Sequence, residues 1–189
     1  MLFVDLVAST ELAATRPPTE VVAVLNQFFT AAVEVVDEHH GWVNKFEGDG
    51  ALAVFGTPVP LDDPAGSALH AARRLADRLA QDLPECQAGI GVVAGTVVAG
   101  NVGAEERFEY TVIGDPVNEA ARLTEVAKTL PGGVATSADT VLLAAPAEQE
   151  HWLVGDEVVL RGRASPTRIA SPRDLVDAPI PADTPFPER

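Results

Sequence analysis

Cationic side chains and cysteine are scarce in this sequence. Its 189 residues contain 13 Lys plus Arg against 28 Asp plus Glu, which gives a formal net charge of −15. Broad binding to nucleic acids or to anionic membranes needs a cationic surface, so neither is expected. The single cysteine, Cys86, excludes a disulfide framework and a cysteine-based zinc site, and it suits a reducing compartment. We therefore expect a cytoplasmic domain with no nucleic-acid partner and no direct membrane contact.

Aromatic residues and long apolar runs are also few. Aromatics make up 5% of the chain and hydrophobic residues 47%, so the core must be built mostly from Val, Ala and Leu. This hydrophobic content excludes disorder along the whole chain. No apolar run reaches the roughly 18 residues that a bilayer-spanning helix needs. The length is that of one domain of ordinary size.

The two ends of the chain suggest how it is organised. The sequence enters a first apolar strand at residue 2 with no lead-in, which is typical of a domain cut from a longer protein. We expect that protein to carry an upstream regulatory or membrane-anchored part. The folded domain is expected over 1–171. An extended or disordered tail is expected over 172–189, which holds five prolines among scattered acids.

The order of apolar patterns predicts an α+β fold. Short strand-like runs alternate with helical periods at 19–39, 63–81 and 115–128. A closing hairpin is expected from strands at 158–160 and 167–170. The resulting order, β-αα-β-β-α-β-β-α-β, fits a mainly antiparallel sheet with helices packed on one face.

Two aspartates stand where a metal site could form. Asp5 interrupts an apolar strand, where an acid is unfavourable unless it is paired or binds a metal. An outward-facing strand position explains Asp5 equally well. Asp49 lies in the hairpin 47–50, where aspartate is common in any case. Together, however, a strand end and a hairpin tip can hold two carboxylates against a pair of hard cations, as two-metal phosphoryl-transfer sites require.

Other polar groups have both an ordinary and a functional interpretation. Ala8, Ser9 and Thr10 precede a helix whose first N–H groups could hold a phosphate, although Ser9 or Thr10 could simply cap it. Asn118 and Arg122 are four residues apart and share one helix face. From spacing alone, a solvated polar face is the simpler explanation of that pair. Asp115 is assigned to capping the same helix.

Two familiar phosphate-binding motifs are excluded. Residues 89–94 (GIGVVA) match the dinucleotide-binding pattern by letters. The mechanism of that motif needs a helix N-terminus directly after it, and another apolar strand follows instead. The chain also lacks the Gly-rich pattern of a P-loop.

Three segments carry a resemblance to a known family: 3–10 (FVDLVAST), 44–50 (NKFEGDG) and 110–123 (YTVIGDPVNEAARL). In this order they resemble the catalytic domain of class III nucleotidyl cyclases, over residues 2–170. The chain looks most like bacterial adenylate cyclases that carry this domain at the C-terminal end of a longer regulatory protein. The resemblance implies a ferredoxin-like core and a head-to-tail homodimer with two active sites at the subunit interface.

The resemblance also implies roles for individual residues. Asp5 and Asp49 of one chain would bind two Mg²⁺ or Mn²⁺ ions, and Lys45 and Thr111 of the partner chain would read the adenine ring. Lys45 can only donate, which matches an acceptor nitrogen of adenine, whereas the N–H groups of guanine on that edge would call for Glu. Thr111 can accept from the adenine amino group, although some relatives have Asp there.

The remaining implied roles concern the ribose and the phosphates. Asn118 of the partner chain would orient the ribose, and Arg122 would stabilise the charge that develops on the α-phosphate. Arg161 stands where relatives have a lysine that contacts the terminal phosphates, with Arg163 as a possible substitute. The implied activity is conversion of ATP to 3′,5′-cyclic AMP and pyrophosphate. A guanylate cyclase on the same scaffold and a catalytically silent nucleotide-binding dimerisation module are the alternatives.

Overall fold

A seven-stranded sheet forms the centre of the molecule, in the strand order β2-β3-β1-β4-β7-β9-β8. The computed structural model describes residues 1–104 and 106–175. All neighbouring strands run antiparallel except β4 and β7, which are parallel. The strands of this sheet are β1 (Leu2–Leu6), β2 (Trp42–Glu47), β3 (Gly50–Val54), β4 (Ala88–Val92), β7 (Val134–Ser137), β8 (Trp152–Val158) and β9 (Thr167–Pro172). The mainly antiparallel α+β architecture expected from the sequence is confirmed.

Helices cover both faces of this sheet, not one face as the sequence suggested. Ala51 and Ala53 of β3 join the core beneath two long helices, whereas Leu52 and Val54 join a second core beneath another helix. The reason lies in β3 itself, which is apolar and buried at every position and therefore needs cover on both sides. The helices are α1 (Ser9–Thr15), α2 (Pro18–Glu38), α3 (Pro64–Asp82), α4 (Asp115–Ala127), α5 (Ala138–Leu142) and α6 (Pro146–Gln149).

The helices α2 and α3 lie on one face, and α4 lies on the other. Among the described residues, one helix, α2, is long enough and apolar enough to cross a membrane, judged by length and composition alone. Its buried side chains lie at helical spacing and include Val24, Phe28 and Val35, which belong to the first core. This packing is that of a core helix, with one apolar stripe turned to the sheet.

A two-stranded hairpin, β5 (Val98–Ala104) and β6 (Arg107–Ile113), stands apart from the main sheet. Val112 at its base is buried in the second core. Other large apolar side chains of the hairpin are exposed: Val98 by 74%, Phe108 by 59% and Ile113 by 55%.

The C-terminal part of the fold differs from expectation in its boundaries. The first strand of the closing hairpin is β8 at Trp152–Val158, not 158–160, because buried Trp152 anchors its start to the first core. Pro172 belongs to β9, and Leu175 in the following single turn of 3₁₀-helix packs against the core. Residues 176–189, most of the expected tail, lie outside the described residues.

Candidate active site

Asp5 lies at the centre of the sheet, on the face that α4 covers. The strand β1 alternates strictly, so Leu2, Val4 and Leu6 are fully buried on the opposite face while Asp5 is half-buried. Its register partners are Gly50 on β3 and Gly89 on β4. The outward-facing interpretation of Asp5 is therefore wrong, because this side chain lies on the face that α4 covers and is ion-paired with Lys128.

Asp49 precedes the residue that pairs with Asp5. It occupies the tight turn between β2 and β3, directly before Gly50. A Cβ atom on Gly50 would lie 2.8 Å from Oδ1 of Asp5, so that oxygen lies over Gly50 on the side of the hairpin. Strand pairing thus places the Asp5 carboxyl beside the residue that follows Asp49, although Asp5 and Asp49 are far apart in sequence.

The charge balance around Asp5 fits a cation site. Burial raises the pKa of the Asp5 carboxyl, the nearby charges of Asp49 and Glu125 add to the rise, and the ammonium of Lys128 opposes it. Across residues 1–104 and 106–175, no group of three or more His, Cys, Asp or Glu side chains is arranged to hold a metal ion. A hard cation held by two carboxylates takes its other ligands from water and substrate phosphates, which is how Mg²⁺ is commonly bound.

The segment 8–10 begins α1. Ala8 is the N-cap in the left-handed conformation (φ 56°, ψ 31°), and no side chain caps the helix. The alternative in which Ser9 or Thr10 caps α1 is therefore wrong, since both residues lie inside its first turn. N–H groups in a first helical turn have no partner within the helix, so they remain available to an acceptor.

Asn44, which precedes Lys45 on β2, is hydrogen-bonded to Tyr110 and Thr111 on β6. The Asn44 amide nitrogen donates to the Tyr110 carbonyl oxygen over 2.8 Å, and the Thr111 hydroxyl donates to Asn44 Oδ1, also over 2.8 Å. These bonds tie β2 to β6. Lys45, the next residue on β2, is about one third exposed and pairs with Glu47 over 2.5 Å.

The bond to Tyr110 fixes the direction of the bond from Thr111. A backbone carbonyl only accepts, so the Asn44 group facing Tyr110 must be the amide nitrogen. The other Asn44 atom is then an oxygen, which obliges Thr111 to donate its proton. The free lone pairs of the Thr111 oxygen are left as acceptors.

Asn118 and Arg122 are exposed on α4 and face away from its buried side, which carries Ala120 and Leu123. The same helix ends next to Lys128, whose ammonium contacts Asp5. Ten residues separate Asn118 from Lys128, about 15 Å along a helix. The structure therefore does not bring Asn118 to the Asp5 of the same chain.

The two arginines near β9 differ in their surroundings. Arg163 is ion-paired with Asp115 at 2.8 Å and lies 3.5 Å from Glu119. Within the described part of the chain, no acidic side chain pairs with Arg161, which is exposed. The expected capping role of Asp115 is wrong: Gly114 is the N-cap of α4, and the Asp115 carboxylate is taken by Arg163.

Two residues of the site were missed by sequence reasoning. Asn44 lies inside a motif that was identified, but only the two bonds in the structure show what it does. Lys128 is 123 residues from Asp5, and nothing in its local sequence signals the contact. Burial disfavours the charge of Lys128, but hydrogen bonds to Asp5 and Glu125 outweigh that effect and raise its pKa.

Comparisons with known proteins point to one family. A family model described as the adenylate and guanylate cyclase catalytic domain matches residues 1–169. Uncharacterized protein Rv1318c of Mycobacterium tuberculosis (strain ATCC 25618 / H37Rv) is 57% identical over 175 residues, or 93% of this chain and 32% of the relative. Uncharacterized protein Mb1353c of Mycobacterium bovis is 56% identical over 172 residues, which cover 91% of this chain and 32% of the relative. The chain thus spans about a third of the length of these relatives.

Solved structures agree with this assignment. A bacterial light-regulated adenylyl cyclase superposes with a TM-score of 0.83 at 23% identity, covering 95% of this chain and 52% of that one. The adenylyl cyclase CyaB from P. aeruginosa gives 0.80 at 24% identity, with 92% and 94% covered. The guanylyl cyclase Cya2 gives 0.73 at 31% identity, with 89% and 88% covered. This chain therefore belongs to the adenylate and guanylate cyclase catalytic domain family.

Proposed function

We propose that this domain is an adenylate cyclase, which converts ATP to 3′,5′-cyclic AMP and pyrophosphate at sites shared by two copies of the chain. The observation that carries the proposal is the pairing of Asp5 with Gly50, which brings the Asp5 carboxyl beside the hairpin tip that bears Asp49. The reaction is an in-line displacement in which the ribose 3′-oxygen bonds to the α-phosphorus and the bond to the pyrophosphate oxygen breaks.

Asp5 and Asp49 are the residues that would hold two Mg²⁺ or Mn²⁺ ions. When bound, such ions neutralise the triphosphate and lower the pKa of the 3′-hydroxyl. The other groups of the chain bind and orient the substrate. The N–H groups at Ala8, Ser9 and Thr10 would donate hydrogen bonds to a phosphate at the start of α1. The proton of the 3′-hydroxyl passes to water or to the substrate.

Three further residues are assigned to the ribose and phosphates on the partner's side of the site. Asn118 would orient the ribose, and Arg122 would neutralise the charge that develops on the α-phosphate. Arg161 would bind the terminal phosphates. The structure supports Arg161 over Arg163 for that role, because Arg163 is already held by Asp115 and Glu119.

The choice of adenine over guanine rests on two groups. Lys45 offers only donors, which suits the ring acceptor of adenine, and Thr111 offers an acceptor to the adenine amino group because its own proton is directed to Asn44. The likeness to guanylyl cyclase Cya2 at 31% identity keeps GTP as the second candidate substrate. For guanine, the donor–acceptor pattern at Lys45 and Thr111 would be mismatched.

A second copy of the chain would complete each site. Asn118 and Arg122 face outward on α4 and lie away from the chain's own Asp5. The exposed apolar side chains of the β5–β6 hairpin, together with Phe46 at 52% exposure on β2, provide a surface for that copy. We infer a head-to-tail homodimer in the cytoplasm, in which the metal pair of one chain meets Asn118 and Arg122 of the other.

The deciding experiment measures cyclic nucleotides formed from equal concentrations of ATP and GTP, with Mn²⁺ or Mg²⁺, at a series of protein concentrations. We expect cyclic AMP to dominate and the rate to rise faster than linearly with protein, because the site forms only on dimerisation. Predominant cyclic GMP would assign the second candidate function. Binding of ATP without turnover in Mn²⁺ would instead identify a silent dimerisation module.

A further inference from the structure

Two glycines flank Asp5 in register, and the one on β4 makes room for the end of α4. A Cβ atom on Gly89 would lie 2.4 Å from the carbonyl oxygen of Thr124 and 2.7 Å from Cγ of Lys128. No side chain fits there while the helix keeps its position. The apolar stem of Lys128 therefore lies across β4 at the position where β4 pairs with Asp5.

The ammonium of Lys128 forms an ion pair with Asp5. Its Nζ lies 2.5 Å from Oδ2 of Asp5 and 2.9 Å from Oε1 of Glu125. The Lys128 side chain is only 12% exposed, so the ammonium is held between the sheet and the helix rather than in free solvent. Lys128 directly follows the last residue of α4, where the partial negative charge of a helix C-terminus favours a cation.

The two oxygens of Asp5 therefore have different neighbours. Oδ2 accepts from Lys128, while Oδ1 lies over Gly50, next to Asp49. A carboxylate held at one oxygen presents the other in a fixed direction, and carboxylates that ligate metals are commonly held in this way by an outer partner.

We propose that Lys128 is a positioning residue of the metal site, which holds Asp5 by Oδ2 so that Oδ1 faces the cations bound with Asp49. The inference rests on the proposed function, because it takes Asp5 and Asp49 as the metal ligands. Lys128 belongs to the same chain as the two aspartates. The helix α4 would thus present Asn118 and Arg122 to the partner's site, while Lys128, directly after its last residue, would act in the site of its own chain.

Direct Mn²⁺ binding tests this role without relying on turnover. The chain is titrated with Mn²⁺, and the free ion is followed by its electron paramagnetic resonance signal. Loss of an outer partner of a metal ligand typically weakens metal affinity about 10–100-fold, and we expect that loss for Lys128→Met. Lys128→Arg keeps a cationic donor and should recover most of the affinity. Mn²⁺ binding by Lys128→Met that equals or exceeds that of the parent would overturn the proposal.

A matched control separates positioning from net charge. Arg168→Met removes the same charge from an exposed pair with Glu157 on β8 and β9, and it should leave Mn²⁺ affinity unchanged. If Lys128→Met does not fold, the polar variant Lys128→Gln serves in its place, with the fold checked by thermal melting. Parent-like Mn²⁺ affinity in folded Lys128→Gln would equally reject the role.

Two further variants distinguish failure of this inference from failure of the proposed function. Asp5→Asn and Asp49→Asn should each abolish the tight Mn²⁺ site. If they do so while Lys128→Met binds normally, only the role of Lys128 is lost. If neither aspartate variant changes Mn²⁺ binding, the proposed metal pair itself is refuted, and the inference falls with it. In active protein, Lys128→Met should raise the Mn²⁺ concentration for half-maximal rate more than it lowers kcat.

Discussion

Thr111 donates its hydroxyl proton to Asn44 over 2.8 Å, and Asn44 is in turn oriented by its bond to the Tyr110 carbonyl. This short chain of bonds makes Thr111 an acceptor toward any ligand beside Lys45. An acceptor at this position suits the amino group of adenine. In the proposed site, Asn44 would thus influence which base is selected without itself contacting the base.

Asn44→Ala should weaken the preference for ATP over GTP. Without the Asn44 oxygen, the Thr111 hydroxyl is free to rotate and to donate as well as accept. One hydrogen bond is worth about 1 kcal/mol, so we expect the ratio of kcat/KM for ATP to that for GTP to fall about fivefold. Thr111→Val is the matched comparison, because it removes the acceptor outright. An unchanged ratio in Asn44→Ala would show that Asn44 only joins β2 to β6.

Mixing two inactive variants should restore activity. Asp5→Ala removes a proposed metal ligand and Asn118→Ala the proposed ribose contact, so each proposed homodimer would have two defective sites. A heterodimer has one site with both residues intact and one with neither. Random pairing at equal concentration should therefore return about a quarter of the parent rate. The measurement is cyclic AMP formation after mixing, and no recovery in demonstrated heterodimers would contradict the shared site.

Gly89→Ala should destabilise the fold by about 1–3 kcal/mol, the usual cost of forcing a methyl group into a packed region. The new Cβ would meet the Thr124 carbonyl and the Lys128 stem, and α4 would have to move off β4. Urea denaturation measures the change. Gly100→Ala on β5 is the control, because a Cβ at that position meets nothing within 4 Å. Equal stability of the two variants would mean that α4 tolerates displacement.

Acid should destabilise the domain partly through His70 on α3. Burial lowers the pKa of His70, and the nearby positive charges of His39 and Arg73 lower it further, while Glu148 opposes them. The His70 ring lies edge-on to His39, with centroids 4.6 Å apart. Because an unfolded histidine has a pKa of about 6.5, the unfolded chain takes up this proton more readily, and stability falls as pH drops below that value.

The variant His70→Gln should lose less stability between about pH 7.5 and 5.5 than the parent does. The midpoint of urea denaturation at each pH gives the comparison. Ser67 lines the same surface cavity as His70. The variant Ser67→Ala removes no titratable group there, so its stability should keep the pH dependence of the parent. A parent-like dependence in His70→Gln would rule out His70 as the acid-sensitive group.

Local sequence was sufficient to predict most of the elements. The strand at 2–6 and the turn at 47–50 are short-range patterns that the sequence shows directly, whereas the antiparallel pairing of β1 with β3 is a tertiary contact that only the structure shows. The sequence did not predict that helices cover both faces of the sheet. The strand β3 is apolar at every position, and such a pattern does not indicate which helix packs on which face. The start of β8 was missed because Trp152 is held by tertiary packing.

Contacts between distant segments were beyond the reach of sequence reasoning. The apolar strand that follows residues 89–94 excluded a dinucleotide-binding motif there, but nothing in the sequence revealed that Gly89 accommodates the end of α4. The helix start at 115 suggested that Asp115 caps α4, yet Arg163, 48 residues away, takes that carboxylate. Such pairings depend on how the chain closes in three dimensions, which local propensity does not encode.

Both lysines of the chain, Lys45 and Lys128, lie at the proposed active site. Amine-reactive reagents therefore address that region and the chain terminus, with little background from elsewhere on the surface. Lys45, whose side chain is 32% exposed, should be modified before Lys128 at 12%. Mass spectrometry of the two labelled peptides would then report the accessibility of Lys45 and of Lys128 separately in one sample. The first reports on the proposed base-recognition region and the second on the proposed metal site.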